Sequence, residues 1–295
     1  CTSRGLGDVY KRQIYNINMK ITLPDNSSRE LPEGSSGYDL AKDIGPGLAK
    51  SAVAVSVDGV QRDLHDVIEG DASVSIITID SDEGIEIMRH TLTAQVLARA
   101  IKNLYPNSKL AIGPTIDDGF YYDVESEKSI SSDDLSKIED EMKKIIKTKS
   151  SITKKLVSKS EALKVFKENK ESYKEIIVNE SKQKDNFQLY YQDDKKFVDL
   201  CRGPHLPNLE FIGSFKLTKV SGAYWKGDSA NAMLTRIYGT AFNNEKDLQS
   251  HLDNLEEALK RDHRKLGKEM DLFHFQDEAP GMVFWHQNGL SLIHI

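Results

Sequence analysis

VDLCRGPHLPN, residues 198–208, places a thiol and an imidazole four residues apart, on Cys201 and His205. Gly203 and Pro204 lie between them and disfavour a regular helical turn, so we expect both side chains on a shaped loop. Loops held by a rigid scaffold commonly carry binding and catalytic residues. By itself this spacing fits half of a metal site, a nucleophile pair or a structural coincidence.

The composition indicates a folded chain with a highly solvated surface. Its 295 residues are 38% hydrophobic and 29% charged, enough for two or three small domains with cores. No apolar run approaches the length that crosses a bilayer, and no amino-terminal segment has the order of a secretory signal. The two cysteines, Cys1 and Cys201, are too few for a disulfide framework and favour a cytoplasmic location. The net charge of −6 disfavours a general nucleic-acid coat protein but permits RNA binding by a local basic face.

Periodicity and turn residues predict an α+β chain. Residues 19–31 and 52–64 alternate apolar and polar positions around a turn, which is typical of hairpins, and the second turns at Asp58-Gly59. Apolar residues recur at helical spacing over residues 86–104 and stop before Pro106. Further helices are predicted at residues 36–44, 133–148, 160–168, 172–179 and 246–270, and further strands at 74–78, 110–124 and within 187–240.

Three other stretches accompany the Cys-x-x-x-His loop: RHTLTAQVLARAIKNLYP (89–106), AIGPTIDDGFYYD (111–123) and FKLTKVSGAYWKGDSANAMLTRIYGTAF (215–242). Together with the loop they closely resemble the amino-terminal half of bacterial threonyl-tRNA synthetases. The resemblance runs from about residue 19 to residue 289. It implies that the parent protein is a threonine–tRNA ligase, a class II synthetase that attaches threonine to tRNA(Thr) with ATP.

The resemblance also divides the chain. It implies a β-grasp-like TGS domain at residues 19–80, for which DIGPGLAK (43–50) is the most specific match, and a larger α+β editing domain, the second additional domain, at 84–243. A linker helix at 244–270 and the truncated first segment of a class II catalytic core at 271–290 would follow. We expect residues 1–18 and 291–295, which lie outside this resemblance, to be a non-native leader and tail.

Editing domains of this family hydrolyse wrongly made aminoacyl-tRNA. Serine lacks one methyl group of threonine, and such a difference supplies only about 1–3 kcal/mol of discrimination in a binding pocket. A second site that cleaves seryl-tRNA(Thr) would therefore improve fidelity. Such a site needs a positioned water and donors for the oxyanion that forms at the ester carbonyl.

The resemblance nominates three catalytic residues. It implies that His205 positions or deprotonates the water, since a neutral imidazole suits that role near pH 7. Lys174, in ESYKEII, would stabilise developing negative charge, and Asp199 would hold the serine amino or hydroxyl group. Two alternatives in which these residues have no catalytic role remain: Asp199 caps a turn, and Lys174 is solvated.

Four further residues are expected to contact substrate. Cys201 would shape the wall that leaves little room for the threonine methyl, with a steric rather than a nucleophilic role. Tyr122, in GFYYD, would contact substrate or adenosine unless it belongs to the core. His90 and Gln95 would contribute from the helix that opens the domain.

This helix departs from the family. Relatives carry His-x-x-x-His, whereas this chain reads RHTLTAQVLA from residue 89. Aligned from the left, His90 matches the first histidine and Ala94 replaces the second. Aligned from the right, Thr91 and Gln95 replace both. The one-residue offset is about 100° of helix, which a local π-bulge or a shifted helix start would absorb.

At most one imidazole of that pair remains, and this bears on metal binding. His90, Cys201 and His205 would give three ligands, so we expect no metal in the editing domain. In the family, ATP, Mg²⁺ and one zinc ion belong to the catalytic core. The implied partners are tRNA(Thr) and seryl-tRNA(Thr), with no DNA and no membrane, and the parent protein would be a homodimer through the core. The rival hypotheses are a free-standing aminoacyl-tRNA deacylase and an RNA-binding or regulatory module with a decayed editing site.

Overall fold

A computed structural model describes residues 18–192 and 197–293, with side chains as far as Ser291. The chain forms two compact units that divide between Asn243 and Asn244. Within the described residues, no helix is both long and apolar enough to span a membrane. The predicted leader at residues 1–18 lies, except for Asn18, outside the described part.

The first unit begins with a five-stranded sheet in the order β2-β1-β5-β3-β4, in which only β1 and β5 run parallel. Both predicted hairpins are confirmed. Asp58 and Gly59 turn the second with φ of 50° and 80°, the two positive values that a type I′ turn requires. The elements are β1 Asn18–Thr22, β2 Ser28–Pro32, α1 Gly37–Ile44, α2 Pro46–Ser51, β3 Ala52–Val57, β4 Val60–Asp63 and β5 Ala72–Thr78.

Two features of this region differ from the prediction or extend it. The segment after α1 was predicted only to end that helix, but α2 follows immediately. Pro46 begins α2 because its fixed φ suits the first helical position, where no amide hydrogen is needed. Ser36 caps α1 with a reciprocal bond to Asp39, which explains why that helix starts there.

The rest of the first unit surrounds a helix that starts after its cap Ser81 and continues to Leu104. One sheet has the order β12-β13-β8-β6, with β7 paired to β8, and a second has the order β11-β10-β9. The predicted helices at 133–148, 160–168 and 172–179 are confirmed as α5, α6 and α7 within two residues. The elements are α3 Asp82–Thr91, a π-helical segment Leu92–Leu97, α4 Ala98–Leu104, β6 Lys109–Leu110, β7 Thr115–Ile116, β8 Gly119–Glu125, α5 Leu135–Lys147, β9 Ile152–Val157, α6 Lys159–Glu168, α7 Ser172–Glu180, β10 Phe187–Gln192, β11 Phe197–Leu200, β12 Ser214–Tyr224 and β13 Met233–Phe242.

One hydrophobic core connects the two parts of this unit. Val53, Ala54 and Ile77 of the first sheet are buried in the same cluster as Leu92 and Phe120. A separate cluster, which includes Ile21, Leu40 and Val74, fills the interior of the first sheet region. The first sheet therefore packs directly on the helix and sheet that carry the site.

The second unit contains α8 Glu245–Lys260, α9 His263–Glu269, β14 Phe273–His274, β15 Phe284–Trp285 and α10 Gln287–Ile293. The single helix predicted over residues 246–270 was wrong, because α8 ends at Lys260 and a second helix begins at His263. Asp262 accepts a hydrogen bond from the Arg264 amide and so caps a new helix in the middle of the charged run. Whether residues 271–290 begin a class II core stays a prediction.

Candidate active site

A cleft of about 630 Å³ lies in the first unit and brings most of the predicted site residues together. His90, Tyr122, Lys174, Asp199 and Cys201 all line it. They come from α3, β8, α7, β11 and the loop after β11, so residues up to 111 positions apart meet at one wall.

A buried ion pair forms one side of the cleft. Lys174 Nζ lies 2.6 Å from Asp199 Oδ1, and both side chains are at most 5% exposed. The Tyr122 hydroxyl donates to Asp199 Oδ2 at 3.3 Å, and the Leu200 amide donates to Oδ1 at 2.8 Å. Burial, and then the Asp199 charge, raises the pKa of Tyr122 well above its usual value, so its hydroxyl keeps its proton. Lys174 is not solvated, and the carboxylate of Asp199 faces a cation within the fold.

Two imidazoles and a thiol form a second cluster, of which His90 and Cys201 line the cleft. His90 Nε2 lies 2.8 Å from Cys201 Sγ, and the rings of His90 and His205 stack with centroids 4.7 Å apart. Burial lowers the pKa of both imidazoles, so both are neutral at pH 7. His90 is half-buried and, unlike His205, lines the cleft.

His205 lies one layer behind the cleft wall. It is 2% exposed, and its Nδ1 lies 3.1 Å from the Thr91 hydroxyl. The Tyr190 ring packs edge-on against it at 4.3 Å. His205 therefore supports His90 from behind, and its predicted contact with the attacking water stays a prediction.

The helix that opens the domain resolves the two alignments of RHTLTAQVLA. Residues Leu92–Leu97 are π-helical, and the Ala98 amide donates to the Thr93 carbonyl, five residues back. The extra residue is thus absorbed by a π segment, one of the two predicted solutions, and the helix before it keeps His90 at the cleft. Ala94 lines the cleft, at the position that the left-hand alignment gave it.

Gln95 does not line the cleft. It is fully buried, and Gln192 Nε2 donates to its side-chain oxygen at 2.9 Å and to its backbone oxygen at 2.6 Å. The substrate contact of Gln95 stays a prediction, although its side chain lies outside the lining of the cleft. The π segment turns this side chain toward β10, where Gln192 donates to its oxygen while its Nε2 has no hydrogen-bond partner within the described residues.

Sequence reasoning missed three residues that hold the site. Thr91 binds the His205 ring and accepts from the Leu206 amide at 3.0 Å. Asp63 accepts from the His205 amide at 2.7 Å, and Gln192 fixes Gln95. Asp63 and His205 are 142 positions apart, so no local pattern could reveal their contact.

Three side chains at the site have the chemistry of metal ligands. The ligand atoms of His90, Cys201 and His205 lie within 4.8 Å of one another. His90 Nε2 and His205 Nδ1 already have partners in Cys201 and Thr91. A metal-free domain stays a prediction.

Comparisons with known proteins identify both parts of the first unit. Residues 19–78 match the TGS domain, and residues 188–238 match the threonyl and alanyl tRNA synthetase second additional domain. The threonine–tRNA ligase of Hahella chejuensis is 50% identical over 275 residues, which are 93% of this chain and 43% of that protein. The threonine–tRNA ligase of Prochlorococcus marinus is 49% identical over 275 residues, which are again 93% of this chain and 43% of that protein. The chain thus spans less than half the length of these relatives, and within that span it matches the amino-terminal part of the threonyl-tRNA synthetases, with a TGS domain followed by their second additional domain.

Proposed function

We propose that the cleft hydrolyses the ester of mischarged seryl-tRNA(Thr), as the proofreading part of a threonine–tRNA ligase that acts in the cytoplasm. The observation that carries this proposal is that the buried Lys174–Asp199 pair and the half-buried His90 line one cleft. A cation, a carboxylate and a neutral imidazole are the groups that ester hydrolysis and ammonium recognition need.

Asp199 would receive the ammonium group of the seryl ester. Its two oxygens already accept from Lys174, Tyr122 and Leu200, so its position is set before the substrate arrives. Lys174 lies beside it as a buried positive charge, which would stabilise the oxyanion in a water-poor site.

His90 would hold the attacking water. Burial lowers the pKa of this imidazole, so a nitrogen is free of a proton near neutral pH. In the reaction, the water oxygen bonds to the ester carbonyl carbon, and the bond from that carbon to the ribose oxygen breaks. One water proton passes through His90 to the departing ribose oxygen, which leaves free serine and tRNA.

The wall around Cys201 and Gly113 would set the size limit. A Cβ on Gly113 would lie 2.2 Å from the Tyr122 ring, so the cleft is closely packed there. The threonine methyl would meet this wall, whereas serine would not. Arg202 is exposed on the rim of the same cleft and would contact a phosphate of the tRNA 3′ end. ATP-dependent attachment of threonine and dimer formation would belong to the part of the ligase that follows the matched region.

The test is deacylation of seryl-tRNA(Thr) and threonyl-tRNA(Thr) by the purified chain. We expect the seryl ester to be cleaved faster. His90→Ala and Lys174→Ala should each reduce the rate about 10²–10⁴-fold, the usual scale for positioned acid–base groups. Lys144→Ala, which removes an exposed lysine of α5, should leave the rate unchanged.

Cleavage of both esters at equal rates would contradict the size limit. No cleavage of either ester, combined with tRNA binding, would favour the RNA-binding module over the hydrolase. Ala94 and the inward-turned Gln95, where relatives have a second histidine, are the features that motivate this alternative.

A further inference from the structure

Asp63, in the TGS region, contacts the loop that carries Cys201 and His205. It ends β4, and its Oδ1 accepts the backbone amide of His205 at 2.7 Å. Its Oδ2 accepts the Tyr190 hydroxyl at 2.9 Å and lies 2.8 Å from Lys154 Nζ. One carboxylate of the first sheet thus accepts hydrogen bonds from the loop and from the two strands β9 and β10 beside it.

The loop has little freedom on its other side. Gly203 has φ of 66°, and a Cβ there would lie 2.0 Å from the Tyr190 hydroxyl. The Cys201 amide donates to the Gln188 carbonyl at 3.3 Å. The loop therefore packs against both Tyr190 and Asp63, and Asp63 is the charged group that binds the loop backbone and the tyrosine hydroxyl.

These contacts reach the cleft through one layer of side chains. His205 stacks on His90, and Cys201 bonds His90, so the position of the loop sets the position of the imidazole on the cleft wall. Hydrogen bonds to a carboxylate are shorter and stronger than those between neutral groups, which suits Asp63 to this task.

We propose that Asp63 is a positioning residue for the hydrolysis and that the TGS domain, through it, holds the active-site loop in place. This inference rests on the proposed function. Asp63 does not line the cleft and makes no contact with substrate; it acts through His205 and Cys201 on His90.

The test uses the full chain with Asp63→Ala and Asp63→Asn, and two measurements. The first is hydrogen exchange at the His205 amide, which we expect to become faster in both variants. An asparagine side chain has only one acceptor oxygen, so it cannot accept from the His205 amide and also from Tyr190 and Lys154. The second is saturation kinetics with seryl-tRNA(Thr). We expect kcat to fall about 10- to 100-fold in Asp63→Ala, the scale of a slight misplacement of reacting groups, while KM stays within about twofold.

Asp71→Ala is the matched control. Asp71 is also a carboxylate of the TGS domain that accepts a backbone amide, but its partner is Lys20 of the same sheet. It should change neither exchange at His205 nor kcat. If Asp63→Ala does not fold, Asp63→Asn decides the question.

Unchanged exchange at His205 in a folded Asp63 variant, or an unchanged kcat, would overturn the inference. If Asp71→Ala had an equal effect, the loss of activity would reflect the general stability of the domain and not the contact of Asp63 with the loop. If the wild-type chain cleaves no seryl ester, the proposed function fails, and the exchange measurement still decides whether Asp63 holds the loop.

Discussion

His90 is the residue whose surroundings matter most for the proposed hydrolysis. Burial is the largest influence on its imidazole and lowers its pKa from the ordinary value of about 6.5, while the Asp199 charge partly opposes the shift. The native ring thus stays neutral at a pH where the unfolded chain has begun to bind a proton. Stability from this group is present above pH 6.5 and is lost as the pH falls below it.

The pH dependence of hydrolysis follows from the same shift. If His90 holds the water, the rate should be constant from pH 8 to about 6.5 and fall only at lower pH. Single-turnover deacylation of seryl-tRNA(Thr) between pH 5 and 8 measures this pH dependence. The same measurement on His90→Ala shows which part of the pH profile depends on this residue. A midpoint above pH 6.5 would show that another group titrates.

At the scale of one element, the π segment Leu92–Leu97 decides which side chain the helix presents to the cleft. It holds one residue more than the regular helix needs, so α3 and α4 keep their packing while the residues between them rotate. Ala94 lies on the cleft wall, and Gln95 binds Gln192.

Deletion of Ala94 should remove this extra residue and restore a continuous α-helix. Gln95 would then stand four residues after His90, on the same face, and fill part of the cleft. We expect a folded chain in which seryl-tRNA(Thr) cleavage falls at least about tenfold, as the side chain occupies space meant for substrate. A structure of the variant and its deacylation rate check this. Ala94→Gly, which keeps the register, should retain activity, and a deletion variant as active as wild type would contradict the role of the π segment.

At the scale of the first unit, the TGS and editing regions should unfold together. Val53 and Ile77 of the first sheet lie in the same core as Leu92 and Phe120, so each region buries part of its apolar surface against the other. Ile77→Ala should lower the free energy of unfolding by about 2–4 kcal/mol, and the same loss should be measured for the editing region.

Fluorescence of Trp225, buried in the editing region, reports this in a Trp285→Phe background. The Trp225 transition should shift to lower denaturant by as much as the transition of the whole unit. Val60→Ala, at an exposed position of the first sheet, should shift nothing. A Trp225 transition insensitive to Ile77→Ala would show that the two regions fold independently.

The sequence by itself determined most of the elements and the resemblance to threonyl-tRNA synthetases. The hairpin at Asp58-Gly59, the helix that stops before Pro106 and α5 depend on turn chemistry, helix-ending residues and periodicity, which act over a few residues. The resemblance also nominated Lys174, Asp199, Cys201, Tyr122 and His90, which the structure gathers at one cleft.

Only the tertiary structure decided which side chains reach the cleft. The register of the π segment turned Gln95 inward, the stacking of His205 behind His90 left only His90 of these two on the cleft wall, and Asp63 joined the site from another domain. Burial, ring stacking and charge pairing between distant residues depend on the packed chain, because the energy of each contact exists only after the sheets and helices have come together.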